Sequence, residues 1–224
     1  MSNATCASII GWSLKRKLCE ELEIRWQPSK GAHLCLLIGD NATGKSLFRR
    51  IVGAWCSKDY NRNTGKGTRI EMIGLSMQDR AGGQMGIAHA FVYGDEFTNA
   101  TGVNTGHTVT TAITTAEGRD SANVVFWDEP DTGLSDAYAA DVGRRIAAFA
   151  KKPPPHTRAS FVVTHRKALV EQLLKAKPHV LFFGENAPKT VEEYLTRPVE
   201  PADIEELYKR GRALFLKVSK HLKG

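Results

Sequence analysis

Three short stretches of this chain carry residues able to do chemistry, each at the end of an apolar run. The first is Gly39-Asp40-Asn41-Ala42-Thr43-Gly44-Lys45-Ser46, which fits G-x-x-x-x-G-K-[ST] between the apolar run His33–Ile38 and a helical pattern starting at Lys45. Such a loop, taken through Leu47, can wrap phosphate oxygens with backbone N–H groups and the positive end of a helix. Lys45 can reach the outer phosphates, and the Ser46 hydroxyl can ligate Mg²⁺. The second is Val124-Val125-Phe126-Trp127-Asp128-Glu129-Pro130, where an apolar strand delivers a carboxylate pair. Asp128 is suited to the shell of Mg²⁺ and Glu129 to polarising a water for attack. The third is Phe161-Val162-Val163-Thr164-His165, which ends in an imidazole placed to contact a terminal phosphate.

Apolar periodicity supplies the elements that must hold these residues. Strands are expected near Glu21–Trp26, His33–Ile38, Arg69–Leu75, Ala90–Tyr93, Val124–Trp127, Phe161–Val163 and His179–Phe183. Helices are expected from Lys45 to Cys56, His107 to Ala116, Lys167 to Ala176 and Pro201 to Leu222. Another follows Ser135, a good N-cap, with Tyr138, Val142, Ile146 and Phe149 on one face, and Pro153–Pro155 stop it. Ser57–Gly67 reads as a polar loop. Strands alternating with helices predict an α/β fold with a largely parallel sheet covered on both faces.

The chain has 224 residues, 42% of them hydrophobic and 25% charged, which suits one domain with a buried core. No apolar run approaches the roughly 18 residues of a membrane span, and the basic Lys15–Lys17 breaks up any leader-like start. Cys6, Cys19, Cys35 and Cys56 form no C-x-x-C pair and read as buried, reduced thiols, which points to the cytoplasm. With 31 Lys and Arg against 24 Asp and Glu, the net charge is +7, which favours polyanionic partners.

The order G-x-x-x-x-G-K-S, apolar-D-E-P, apolar-T-H resembles the ATP-binding-cassette (ABC) P-loop ATPases across about 10–184. That resemblance implies a single ATPase domain: an N-terminal adenine-side β segment at 1–32, a nucleotide-binding core at 33–184 and a helical extension at 185–224. It implies ATP and Mg²⁺ as cofactors, Lys45, Glu129 and His165 as catalytic residues, and a homodimer with composite sites. In the family a signature motif from the partner faces each P-loop. Asn104-Thr105-Gly106-His107, read as opening a helix, resembles it, with Ala81-Gly82-Gly83-Gln84 as the rival. Trp12 falls where the family often stacks an aromatic on adenine. Gln78 resembles the glutamine that senses Mg²⁺ and the attacking water, with Gln84 again a rival. Gly133-Leu134-Ser135 resembles the segment that crosses to the partner, although the family's Asp aligns with Ser135, and Asp136 comes one residue late.

The gap between Lys45 and Thr105 is too short for a full transporter-docking lobe or for coiled-coil arms, so the helical lobe is expected to be much reduced. What remains resembles the stand-alone heads of repair, mobile-element and phage-associated ATPases. Basic residues gather between Arg49 and Arg69 and again on the last helix, at Lys209, Arg210, Arg212, Lys217, Lys220 and Lys223. The expected role is therefore an ATPase acting on DNA or RNA or within a nucleoprotein complex. The alternatives are the energising subunit of a membrane transporter and a nucleotide-switched binding module with little turnover.

Overall fold

The computed structural model describes residues 4–75 and 100–220. Six strands form one sheet: β1 (Ile24–Gln27), β2 (Leu34–Gly39), β5 (Glu71–Leu75), β6 (Asn123–Asp128), β7 (Thr157–Val163) and β8 (His179–Phe183). Their spatial order is β1-β8-β2-β7-β6-β5, and only β1 runs antiparallel, at the edge beside β8. Two two-residue strands, β3 (Tyr60–Asn61) and β4 (Lys66–Gly67), pair as a separate hairpin inside the expected polar loop.

The central strands are apolar along their whole length because both faces are covered. Side chains alternate between two cores, with Cys35 and Leu37 of β2 in one and Leu34, Leu36 and Ile38 in the other. β6 divides likewise, Val124 and Phe126 against Val125 and Trp127. The first core is closed by α1 (Cys6–Leu14) and α3 (Lys45–Ser57) through Ile9, Ile10, Phe48, Ile51, Val52 and Trp55. The second is closed by α4 (Thr101–Glu117), α5 (Asp136–Lys151) and α6 (Lys167–Leu173). Short helices α2 (Lys17–Glu20) and α7 (Val191–Thr196) and the C-terminal α8 (Ile204–Ser219) complete the described chain.

Several elements differ from the expectation. The N-terminal segment is helical before it reaches β1, since Thr5 and Ser8 form a reciprocal capping box that starts α1. The connection between β8 and the last helix holds α7, whose N-cap Thr190 accepts from the Glu193 N–H. On α5 the inward face is carried by Ala139, Val142, Ile146 and Phe149, while Tyr138 is 67% exposed. α8 buries only Val218, and Ile204, Tyr208 and Phe215 face outward. The largest shift is α4, which begins at Thr101 rather than near His107. The expected strand Ala90–Tyr93 lies outside the described residues.

All four cysteines are free and buried, and burial raises their thiols well above the ordinary range. Among the described residues no helix is long and apolar enough to cross a membrane.

Candidate functional site

The parallel strands β2, β6 and β7 end together at one edge of the sheet, with β7 in the middle. Leu37 pairs with Val163, and Val163 pairs with Asp128. The residues that follow these three strands therefore converge in the crevice outside their carboxyl ends, where ligands of open α/β sheets bind. A cleft of about 370 Å³ occupies this position. Its floor is the loop Asn41–Leu47, and Asp128, Glu129, Val163 and His165 border it.

The loop between β2 and α3 is held by its own chemistry. Gly44 caps α3 at φ +96°, a left-handed conformation, and a Cβ there would lie 2.5 Å from Leu22 Cδ2. At Gly39 a Cβ would lie 2.7 Å from the Phe183 carbonyl oxygen, so the strand end admits glycine alone. The Thr43 hydroxyl donates to the Asp40 carbonyl at 2.8 Å, closing the turn. Lys45 reaches back across the loop, donating to the Gly39 carbonyl at 2.8 Å and the Asp40 carbonyl at 2.5 Å. Its side chain is buried, and that burial lowers its pKa to about 8 despite the opposing pull of Asp40, Glu129 and Asp128.

Glu129 adopts φ +52°, rare for a side-chain-bearing residue and worth roughly 1 kcal/mol or more of strain. The strain is held by its neighbours. Glu129 N–H donates to the Val163 carbonyl at 2.9 Å, and its own carbonyl accepts from the Thr132 backbone and hydroxyl. Burial, reinforced by Asp128 and Asp131, raises the Glu129 pKa, while Lys45 pulls it down. His165 Nε2 lies 3.9 Å from Glu129 Oε1. Burial and the Lys45 charge push the imidazole down to about 4, so it is neutral near pH 7. The pair are neighbours sharing a site, not an ion pair.

A further set of contacts, which the sequence did not point to, ties the loops after β6 and β7 together. The Thr164 hydroxyl donates to Asp131 Oδ2 at 3.0 Å and accepts from the Arg166 N–H at 3.0 Å. Arg166 Nε approaches the same Asp131 oxygen at 3.4 Å, and its Nη1 donates to Asp136 at 2.9 Å. Asp131 is 6% exposed and so depends on these partners. The residues on either side of His165 are thus fastened to the residue two beyond Glu129. The only sequence signal was the fourth position of D-E-P-D.

Other expected site residues lie elsewhere. Trp12 sits on α1 against the first core, with the Arg16 guanidinium 4.3 Å over its ring, and it does not line the cleft. Asn104, Thr105 and Gly106 do not open a helix but lie inside α4. The Asn104 N–H donates to the Ala100 carbonyl, and both Asn104 and Thr105 are buried. The Thr105 hydroxyl donates to the Thr132 carbonyl of its own chain at 2.7 Å. Thr105 thereby braces the loop after Glu129. In the first turn of α4 a Cβ at Gly102 would lie 2.8 Å from the Gly133 carbonyl oxygen, and one at Gly133 would lie 3.0 Å from the Thr101 side chain. Gln78 and the stretch Ala81–Gln84 lie outside the described residues. Comparison with known protein families, characterised proteins and solved structures finds no match to this chain.

Proposed function

We propose that this chain is a P-loop ATPase of the ABC type that binds Mg-ATP and hydrolyses it. The observation that carries the reading is the convergence of a buried lysine, a carboxylate pair and a neutral histidine on one cleft from three parallel strands. A glycine-lined loop with a buried ammonium fits a polyphosphate, since an anion restores the charge state that burial disfavours. Ser46 and Asp128 suit Mg²⁺, which commonly takes few protein ligands and fills its shell from water and phosphate. When bound, that ion would offset charge on the phosphate oxygens.

The chain's own residues divide the remaining work. The loop amides and Lys45 orient the phosphates along α3. Glu129, with its raised pKa and fixed backbone, accepts a proton from the attacking water. Neutral His165 offers a hydrogen bond to the terminal phosphate without adding a charge. Replacing Lys45 with Ala should remove measurable Mg-ATP binding, and near-normal affinity in that variant would sink the phosphate-site assignment.

The exposed hairpin carrying Arg62 and Lys66 supports a polyanionic partner, and nucleic acid is the one we propose. Duplex binding that weakens steeply with salt, and is lost on charge reversal at Arg62 and Lys66, is the result expected. Salt-insensitive binding, or none at low salt, would remove that partner.

A further inference from the structure

The C-terminal helix α8 is a wall of the phosphate cleft. Gly211 and Leu214 line it opposite the loop. Arg210 Nη1 lies 3.9 Å from Asp40 Oδ2, and a Cβ built at Gly211 would lie 3.8 Å from Ala42 Cβ. Leu214 also packs against the core beneath α3, so the helix is seated on the loop by charge, close approach and apolar contact.

The two ends of the cleft differ in chemistry. Asp128, Glu129 and His165 mark the end where a terminal phosphate reacts. Away from them the lining passes to Leu47 and Arg50 on α3 and to Gly211 and Leu214 on α8. A triphosphate whose outer group faces Glu129 and His165 runs back along the loop amides toward α3. Its sugar and base then emerge between α3 and α8. The aromatic expected for the base, Trp12, is covered by Arg16 and is absent from the cleft.

We propose that α8 forms the nucleoside-binding wall of this site, with Leu214 offering an apolar surface, Arg50 a cation, and Gly211 the space for the ribose and base. The inference rests on the phosphate-site reading above. Gly211 lies within a helix, where glycine is a poor helix former, and it lines the cleft beside Ala42.

The test compares Mg-ATP with Mg-tripolyphosphate, which has the phosphates and no nucleoside, by titration calorimetry on the full chain. Gly211→Leu raises helix propensity and adds bulk to the cleft lining, and circular dichroism checks that the variant keeps its fold. Leu214→Asp is the second variant, placing an acid against the nucleoside. Both should weaken ATP binding by about tenfold or more and leave tripolyphosphate within about twofold of wild type. Equal losses for the two ligands would put α8 beside the phosphates and overturn the proposal, as would unchanged ATP affinity in both variants. If the wild-type chain binds neither ligand, the phosphate-site reading falls and takes this inference with it. Tripolyphosphate binding with ATP affinity unmoved by either variant defeats this inference alone.

Discussion

Thr43-Gly44-Lys45 and Thr105-Gly106-His107 are nearly the same tripeptide, yet one opens a helix and the other lies in the middle of one. Gly44 stands at φ +96° with Leu22 pressed against the position of a Cβ, and its left-handed turn frees the amides of α3. Gly106 has nothing within 4 Å of a Cβ and continues the helix already running from Thr101. The difference arises from what precedes each glycine. The six-residue buried strand β2 ends at Gly39, directly before the loop that Gly44 closes, whereas α4 is already running from Thr101, with Gly102 packed on Gly133. Glycine permits a phosphate loop, but a strand end directly before it is what makes one.

Substitution at the two glycines should separate them cleanly. Gly44→Ala meets both a disfavoured φ and a collision with Leu22, and the backbone strain alone is worth roughly 1–3 kcal/mol. It should cost at least tenfold in ATP affinity, about 1.4 kcal/mol, when measured by calorimetry. A variant binding as wild type would mean the loop conformation is not required. An intermediate effect is expected where the loops after β6 and β7 are joined. Thr164→Val keeps the side-chain volume but leaves the buried Asp131 carboxylate short of a donor, costing about 1–3 kcal/mol. Turnover should fall about tenfold with ATP affinity unchanged, and Thr164→Ser should restore it. Failure of serine to rescue would assign Thr164 to packing alone. The smallest effect belongs to Gly106→Ala, which should raise stability by about 0.5–1 kcal/mol because alanine suits an open helix position. Loss of turnover in that variant, with the fold intact, would return Gly106 to the active site.

The parts legible in the sequence were those encoded within a few neighbouring residues. The strands β2, β6, β7 and β8, the start of α3 and the convergence of Lys45, Asp128, Glu129 and His165 follow from apolar runs ending in polar residues. The helix α1 was missed because its signal is a capping box at Thr5 and Ser8 rather than amphipathic spacing. The start of α4 was misplaced, and the Gly102–Gly133 contact in its first turn joins positions far apart in the chain. The Asp131–Thr164–Arg166 clamp and the seating of α8 on Ala42 are likewise contacts between distant segments, which periodicity does not report. The apolar spacing of α8 suggested a packed helix, yet Ile204, Tyr208 and Phe215 face outward.

The central claim is that Glu129 is the base of an ATP-hydrolysing site, and it is tested most directly by phosphate release with ATP binding followed in the same samples. In the wild-type chain Mg-ATP should be bound and hydrolysed. Glu129→Gln, which keeps the shape of the side chain and removes its basicity, should bind ATP normally and release phosphate about 10²–10⁴-fold more slowly. Release at the wild-type rate from the Gln variant would contradict the account and move the proton acceptor to another residue of the cleft, His165 first.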